Sequence, residues 1–93
     1  MREVKYTSRF KRDYKREQSG PHGKKLDAQL MEAVTLLAAD AALPHRYVDH
    51  PLSGEWNDHR DCHLRPDFIL IYRKPDEESL ELVRLGSHSE LGL

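Results

Sequence analysis

His50, Asp61, His63, Asp67 and His88 are the residues of this chain best able to move protons. They fall in two phrases, Asp49-His50-Pro51-Leu52-Ser53-Gly54 and Arg60-Asp61-Cys62-His63-Leu64-Arg65-Pro66-Asp67, and in a final Gly86-Ser87-His88. Imidazole gives and takes protons near neutral pH, so several rings on one small chain point to acid/base chemistry. Cleavage of RNA by internal transesterification is one reaction within reach. The ribose 2'-oxygen must lose a proton and attack the adjacent phosphorus, the 5'-oxygen must gain one, and the phosphorane needs cationic support. Two imidazoles and an arginine suffice, and no metal or other cofactor is required because the nucleophile is already in the substrate.

Other readings compete for the same residues. A histidine in a loop or at a strand end is commonly a surface residue, which is the reading for His22 and His45, with His59 left open. Asp61 and Asp67 can equally serve as turn residues or as partners of Arg60 and Arg65. His59, Asp61, Cys62 and His63 are conceivable metal ligands. The His-x-x-x-His zinc signature needs a helix and an intervening glutamate, however, and neither is present, so no metal site is expected. Cys62, the only cysteine, reads as a small buried strand residue. It permits no internal disulfide and fits a reducing compartment.

The elements that must position these groups are legible in outline. A short extended stretch around Val4 and Tyr6 precedes Thr7 and Ser8, either of which can cap a helix running to about Gln18. Ser19-Gly20-Pro21 ends it. Leu26, Leu30, Val34 and Leu37 then repeat at helical spacing, predicting a second helix from about Lys24 to Ala39. The Pro-, His- and Asp-rich segment from Leu43 to Gly54 reads as a loop. Arg60 to Leu64, Phe68 to Tyr72 and Leu80 to Leu85 read as three strands of an antiparallel meander, which the first strand joins. The expected fold is one α+β domain over residues 1–93, ordered β-α-α-β-β-β, with two amino-terminal helices packed on a small antiparallel sheet. A strand over residues 59 to 64 would turn His59, Asp61 and His63 toward an exposed polar face opposite the helices.

A chain of 93 residues with 38% hydrophobic and 33% charged residues can bury one modest core. Its start is too charged for a signal peptide, and no apolar run approaches the roughly 18 residues of a membrane span. A cytoplasmic protein is expected. Charge is unevenly distributed: up to Lys25 there are nine basic residues against three acidic, and beyond it six against thirteen. Phe10 and Tyr14 interleave the basic cluster, which suits phosphate contacts, a solvated helix face or an acidic partner alike.

The phrase around His50, the run Arg60 to Tyr72 and the final Arg84-Leu85-Gly86-Ser87-His88-Ser89-Glu90-Leu91 together resemble the YafQ branch of the RelE/ParE toxin superfamily, over essentially the whole chain. That resemblance implies a type II toxin: a ribosome-dependent endoribonuclease that cuts mRNA in the ribosomal A site and is neutralised by a cognate antitoxin. It also implies a small antiparallel sheet with two amino-terminal helices. By position, His50, His63, Asp67 and His88 are similar to the family's catalytic set, with Asp61 and Arg84 in support. Implied roles are His88 as general acid, His50 or Asp67 as base, His63 orienting the phosphate and Arg84 stabilising its charge. Lys11, Arg12, Lys15 and Arg16 are the implied RNA contacts. Relatives often end in an aromatic residue that can stack on a base; Leu91-Gly92-Leu93 stands here instead. A non-nucleolytic toxin of the gyrase-poisoning ParE type, or a protein-interaction module of the same fold, is the alternative.

Overall fold

The computed structural model describes residues 1–21 and 23–93, so the surface reading of His22 lies outside the described residues. Thr7 starts the first helix as its residue type predicts: the side chain accepts from the Phe10 amide at 3.0 Å and so satisfies one of the donors a helix start leaves open. The same hydroxyl donates to the Val83 carbonyl at 2.7 Å. The elements are β1 (Glu3–Tyr6), α1 (Ser8–Gln18), α2 (Gly23–Ala38), β2 (His50–Pro51), β3 (Arg60–Arg65), β4 (Phe68–Arg73), β5 (Ser79–Gly86) and α3 (His88–Leu91). Gly23 lets the two long helices meet closely, since a Cβ there would lie 2.2 Å from the Gln18 carbonyl oxygen.

The five strands form one sheet in the order β1-β5-β4-β3-β2. The β3-β4-β5 meander is antiparallel, as expected, but β1 lies parallel to β5, so the sheet is mixed. The helix pair and the loop after it carry the chain from one edge of the sheet to the other, leaving β1 to be met by the last strand. Period-2 alternation fixes which face a residue takes and says nothing of the direction of its neighbour.

Phe10, Leu26, Leu37, Leu70, Tyr72 and Leu85 belong to the main core between helices and sheet. Leu82 and Leu85 both face it although they are three apart, because the β4–β5 register shifts between Ile71 and Tyr72. The opposite face is not the open polar surface the alternation suggests. Ile69, Ile71, Val83 and Leu91 form a second cluster there, flanked by Leu52 and Trp56. Its lid includes α3, a turn of helix whose start has a complete capping box: Ser87 accepts from the Glu90 amide, and Glu90 accepts from the Ser87 amide.

Candidate active site

His50 and Asp61 are direct partners across the β2–β3 pair, and His63 stands two residues beyond Asp61, so all three share one sheet face. That face is the one opposite the long helices. The His50 and His63 ring centroids lie 6.3 Å apart. Beyond His63, the His88 ring meets it edge-on at 5.3 Å. Three imidazoles therefore stand in a row. His59 is not among them, because β3 begins at Arg60 and the His59 ring instead packs edge-on against Trp56 at 5.3 Å. His45 lies in a short 3-10 turn, exposed as expected of a surface residue.

Each end of the row is held by an acceptor. His88 places its Nδ1 2.6 Å from Asp67 Oδ1, and its backbone N–H donates to the same oxygen at 3.0 Å. Asp67 sits in the tight turn between β3 and β4, which α3 overhangs. The His88 amide and ring together hold the Asp67 carboxyl below the usual carboxylate range. At the other end, His50 Nδ1 lies 2.8 Å from the Val48 carbonyl. Val48 is itself in the left-handed region, at φ 48°, uncommon for a β-branched residue and a mark of local strain beside the site. Both acceptors lack protons, so each Nδ1 is the protonated nitrogen and each Nε2 is left to exchange protons.

Beneath the row lies Asp61, only 2% exposed. Its Oδ1 is 3.0 Å from His50 Nδ1 but is not the hydrogen-bond acceptor, since that proton is directed to Val48. Burial pushes the Asp61 pKa up, against the pull of the charges on His50, His63 and His88. Among the described residues, Asp61 Oδ1 and His63 Nε2 are buried polar atoms without a hydrogen-bond partner. Such atoms are uncommon in a folded protein, and their juxtaposition suits a site that receives a polar ligand.

The profile of the YafQ family, bacterial toxins of type II toxin–antitoxin systems, matches residues 2–92. The chain belongs to the YafQ toxin family. It is 37% identical over 92 residues to the mRNA interferase toxin YafQ of Escherichia coli K12, covering 98% of this chain and 96% of that one. A copper-bound mutant toxin from Helicobacter pylori superposes with a TM-score of 0.85 at 32% identity, over 98% of this chain and 99% of that one. The toxin of the E. coli DinJ-YafQ complex superposes at 0.79 with 33% identity, 98% of each chain being covered. In this chain, no three His, Cys, Asp or Glu side chains among the described residues are arranged to hold a metal ion.

Set against the roles the YafQ resemblance implies, two arginines are otherwise employed. Arg84 Nε and Nη2 bind Asp13 at 2.7 and 3.3 Å, and that guanidinium is mostly buried in the pair. A cation tied to a carboxylate is poorly placed to meet a phosphate charge. Arg16 is likewise committed, to Asp13, Glu17 and the Leu85 carbonyl. Lys11, Arg12 and Lys15 remain exposed on α1, with no ion pair among the described residues. Sequence reasoning passed over two acidic residues that hold the site. Asp49 anchors the loop before His50 by accepting from Arg60 and, at 2.6 Å, from the Tyr72 hydroxyl. Asp13, 4% exposed, gave itself away only by facing inward with Phe10 on an otherwise charged helix.

Proposed function

We propose that this chain, acting as a single domain over residues 1–93, is a ribosome-dependent endoribonuclease that cleaves mRNA in the ribosomal A site. In this reading it works in the cytoplasm, needs no metal, and is held in check by a cognate antitoxin protein. The relatives support it by name: one is called an mRNA interferase toxin, another was solved in a DinJ-YafQ complex. The observation that carries it is the imidazole row with an acceptor fixing each end.

In-line attack requires a base and an acid on opposite sides of the phosphorus, and the row offers His50 at one end and His88 at the other. His50 Nε2 takes the 2'-hydroxyl proton as that oxygen bonds to phosphorus. The bond to the 5'-oxygen breaks, and that oxygen takes a proton from His88 Nε2, leaving a 2',3'-cyclic phosphate and a 5'-hydroxyl. Asp67 is the orienting partner of His88 rather than the base, because it already accepts two hydrogen bonds. His63, between the two, meets the phosphate and takes the stabilising role first given to Arg84. Asp61, buried below, backs the row with its Oδ1 3.0 Å from His50 Nδ1. Lys11, Arg12 and Lys15 supply the RNA-facing charge.

The test is to induce the wild type and His88→Ala in cells and to map mRNA ends, then to repeat the cleavage on purified ribosomes. Each proton-transfer group contributes on the order of 100- to 10,000-fold, so cleavage by the variant is expected to fall to near background. Equal cleavage by the two proteins refutes the role of His88.

A further inference from the structure

The segment that carries His88 is clamped from below by α1. Asp13, buried on that helix, accepts from Arg84 and also from the Leu85 amide at 3.0 Å and Arg16 Nη1 at 3.1 Å. Arg16 in turn donates from Nη2 to the Leu85 carbonyl at 3.0 Å. Its Nε lies 3.4 Å from Glu90 Oε2. Glu90 is the acid of the capping box that starts α3, and His88 is the first residue of that helix. A continuous polar path thus runs from α1 through the end of β5 to the turn that aims the His88 ring.

Gly86 gives an independent sign that this closure is built. A Cβ at that position would lie 3.0 Å from Arg16 Nη2 and 3.1 Å from Glu90 Oε1, so the two side chains close over bare backbone. Residue 86 needs no positive φ, so glycine serves here by leaving the space vacant.

We infer that Asp13, Arg16 and Glu90 are positioning residues for the His88 imidazole, and that Arg16 acts through the segment between Leu85 and Glu90 rather than by touching RNA. The inference rests on the catalytic reading of His88. All three nitrogens of the Arg16 guanidinium are already engaged within the chain. Loss of the clamp frees Ser87 and the start of α3 to shift, which moves the ring relative to Asp67 and to the leaving oxygen. A misplacement of about 1 Å in a reacting group costs on the order of 100-fold in rate.

The experiment compares Arg16→Ala, Arg16→Lys and Gly86→Ala with the wild type and His88→Ala, using ribosome-bound mRNA for kinetics and NMR for the His88 ring in the free protein. Arg16 is partly exposed, so its variants are expected to stay folded, and Gly86→Ala presses the Arg16 and Glu90 side-chain tips aside by a few tenths of an ångström without removing either. The expected result for the Arg16 variants is a kcat lowered on the order of ten- to a hundred-fold with KM near the wild-type value, together with shifted His88 ring signals, and for Gly86→Ala a smaller change in the same direction. Lysine keeps the charge but presents it from a single nitrogen and cannot span the four partners that the guanidinium fork reaches, so Arg16→Lys is expected to resemble Arg16→Ala. A raised KM with unchanged kcat, a wild-type Arg16→Lys, or unmoved His88 signals each overturns the inference. If His88→Ala itself cleaves at the wild-type rate, the catalytic reading has failed, a result that does not depend on any Arg16 variant.

Discussion

Replacing Asp13 by asparagine is expected to be the most damaging single polar substitution in this chain. The carboxylate accepts from Arg84, Arg16 and the Leu85 amide. Its removal leaves the Arg84 guanidinium, whose side chain is 14% exposed, without a counter-ion. Removing one partner of a buried pair costs about 3–5 kcal/mol; some water reaches Arg84, which favours the lower end, about 3 kcal/mol. A chain of this size has a total stability of roughly 5–14 kcal/mol, so the loss is a large fraction of it. At roughly 4–8 °C per kcal/mol, the melting temperature falls by about 12–24 °C. Burial alone would raise the Asp13 pKa, but the Arg84 hydrogen bond, the Leu85 amide and the charges of Arg84 and Arg16 outweigh it and hold the pKa below the ordinary value. A depressed folded-state pKa gives stability that is present above the unfolded value, about 3.9, and is lost as pH falls through the lower folded value. Urea unfolding followed by circular dichroism at pH 7 and at pH 3 therefore gives a wide gap between the proteins at pH 7 and a narrowed one at pH 3. A loss below about 1 kcal/mol at pH 7, or an equal gap at both pH values, refutes the reasoning.

Asp61 has the opposite sign. Its pKa is raised by burial, so the ionised side chain weakens the fold as pH rises through that value, and Asp61→Asn is expected to gain about 1 kcal/mol in urea unfolding at pH 7 while losing cleavage. The gain vanishes below the ordinary carboxylate pKa, and a variant less stable than the wild type at pH 7 contradicts this. Asp67→Asn, at an exposed turn, leaves the melting temperature close to wild type but lowers kcat, because the His88 ring loses its orienting carboxylate; a wild-type kcat excludes that role. Cys62 is fully buried with its thiol pKa pushed up, so alkylation by iodoacetamide is expected only after unfolding, and rapid labelling of the native protein contradicts the packing. Reversing the charge of Lys11, Arg12 and Lys15 together is expected to raise KM on ribosomes and to flatten its salt dependence; an unchanged salt dependence removes α1 from the RNA contact.

The amino-acid sequence by itself determined the helix pair and the meander, because these rest on local rules, whereas His50, His63 and His88 were grouped by the family resemblance and brought together by the fold. Thr7 at the first helix start, leucines at helical spacing, and apolar runs broken by Pro66 and Pro75 each act within a few residues. The carboxy-terminal turn of helix, α3, went unpredicted, although the Ser87-x-x-Glu90 pattern is the local mark of its capping box. Tertiary structure alone decided what depends on chain direction and on distant partners. The parallel pairing of β1 with β5, the shifted register that turns Leu82 and Leu85 the same way, and the burial of Asp61 beneath the imidazole row leave no local mark. The arginines show the same division most clearly. Arg16 and Arg84 look like RNA and phosphate contacts when only their charge is known, yet a single buried carboxylate, 71 positions before Arg84 in the chain, engages both. A charge declares its sign in the sequence; its partner is fixed by which helix the fold lays across which strand.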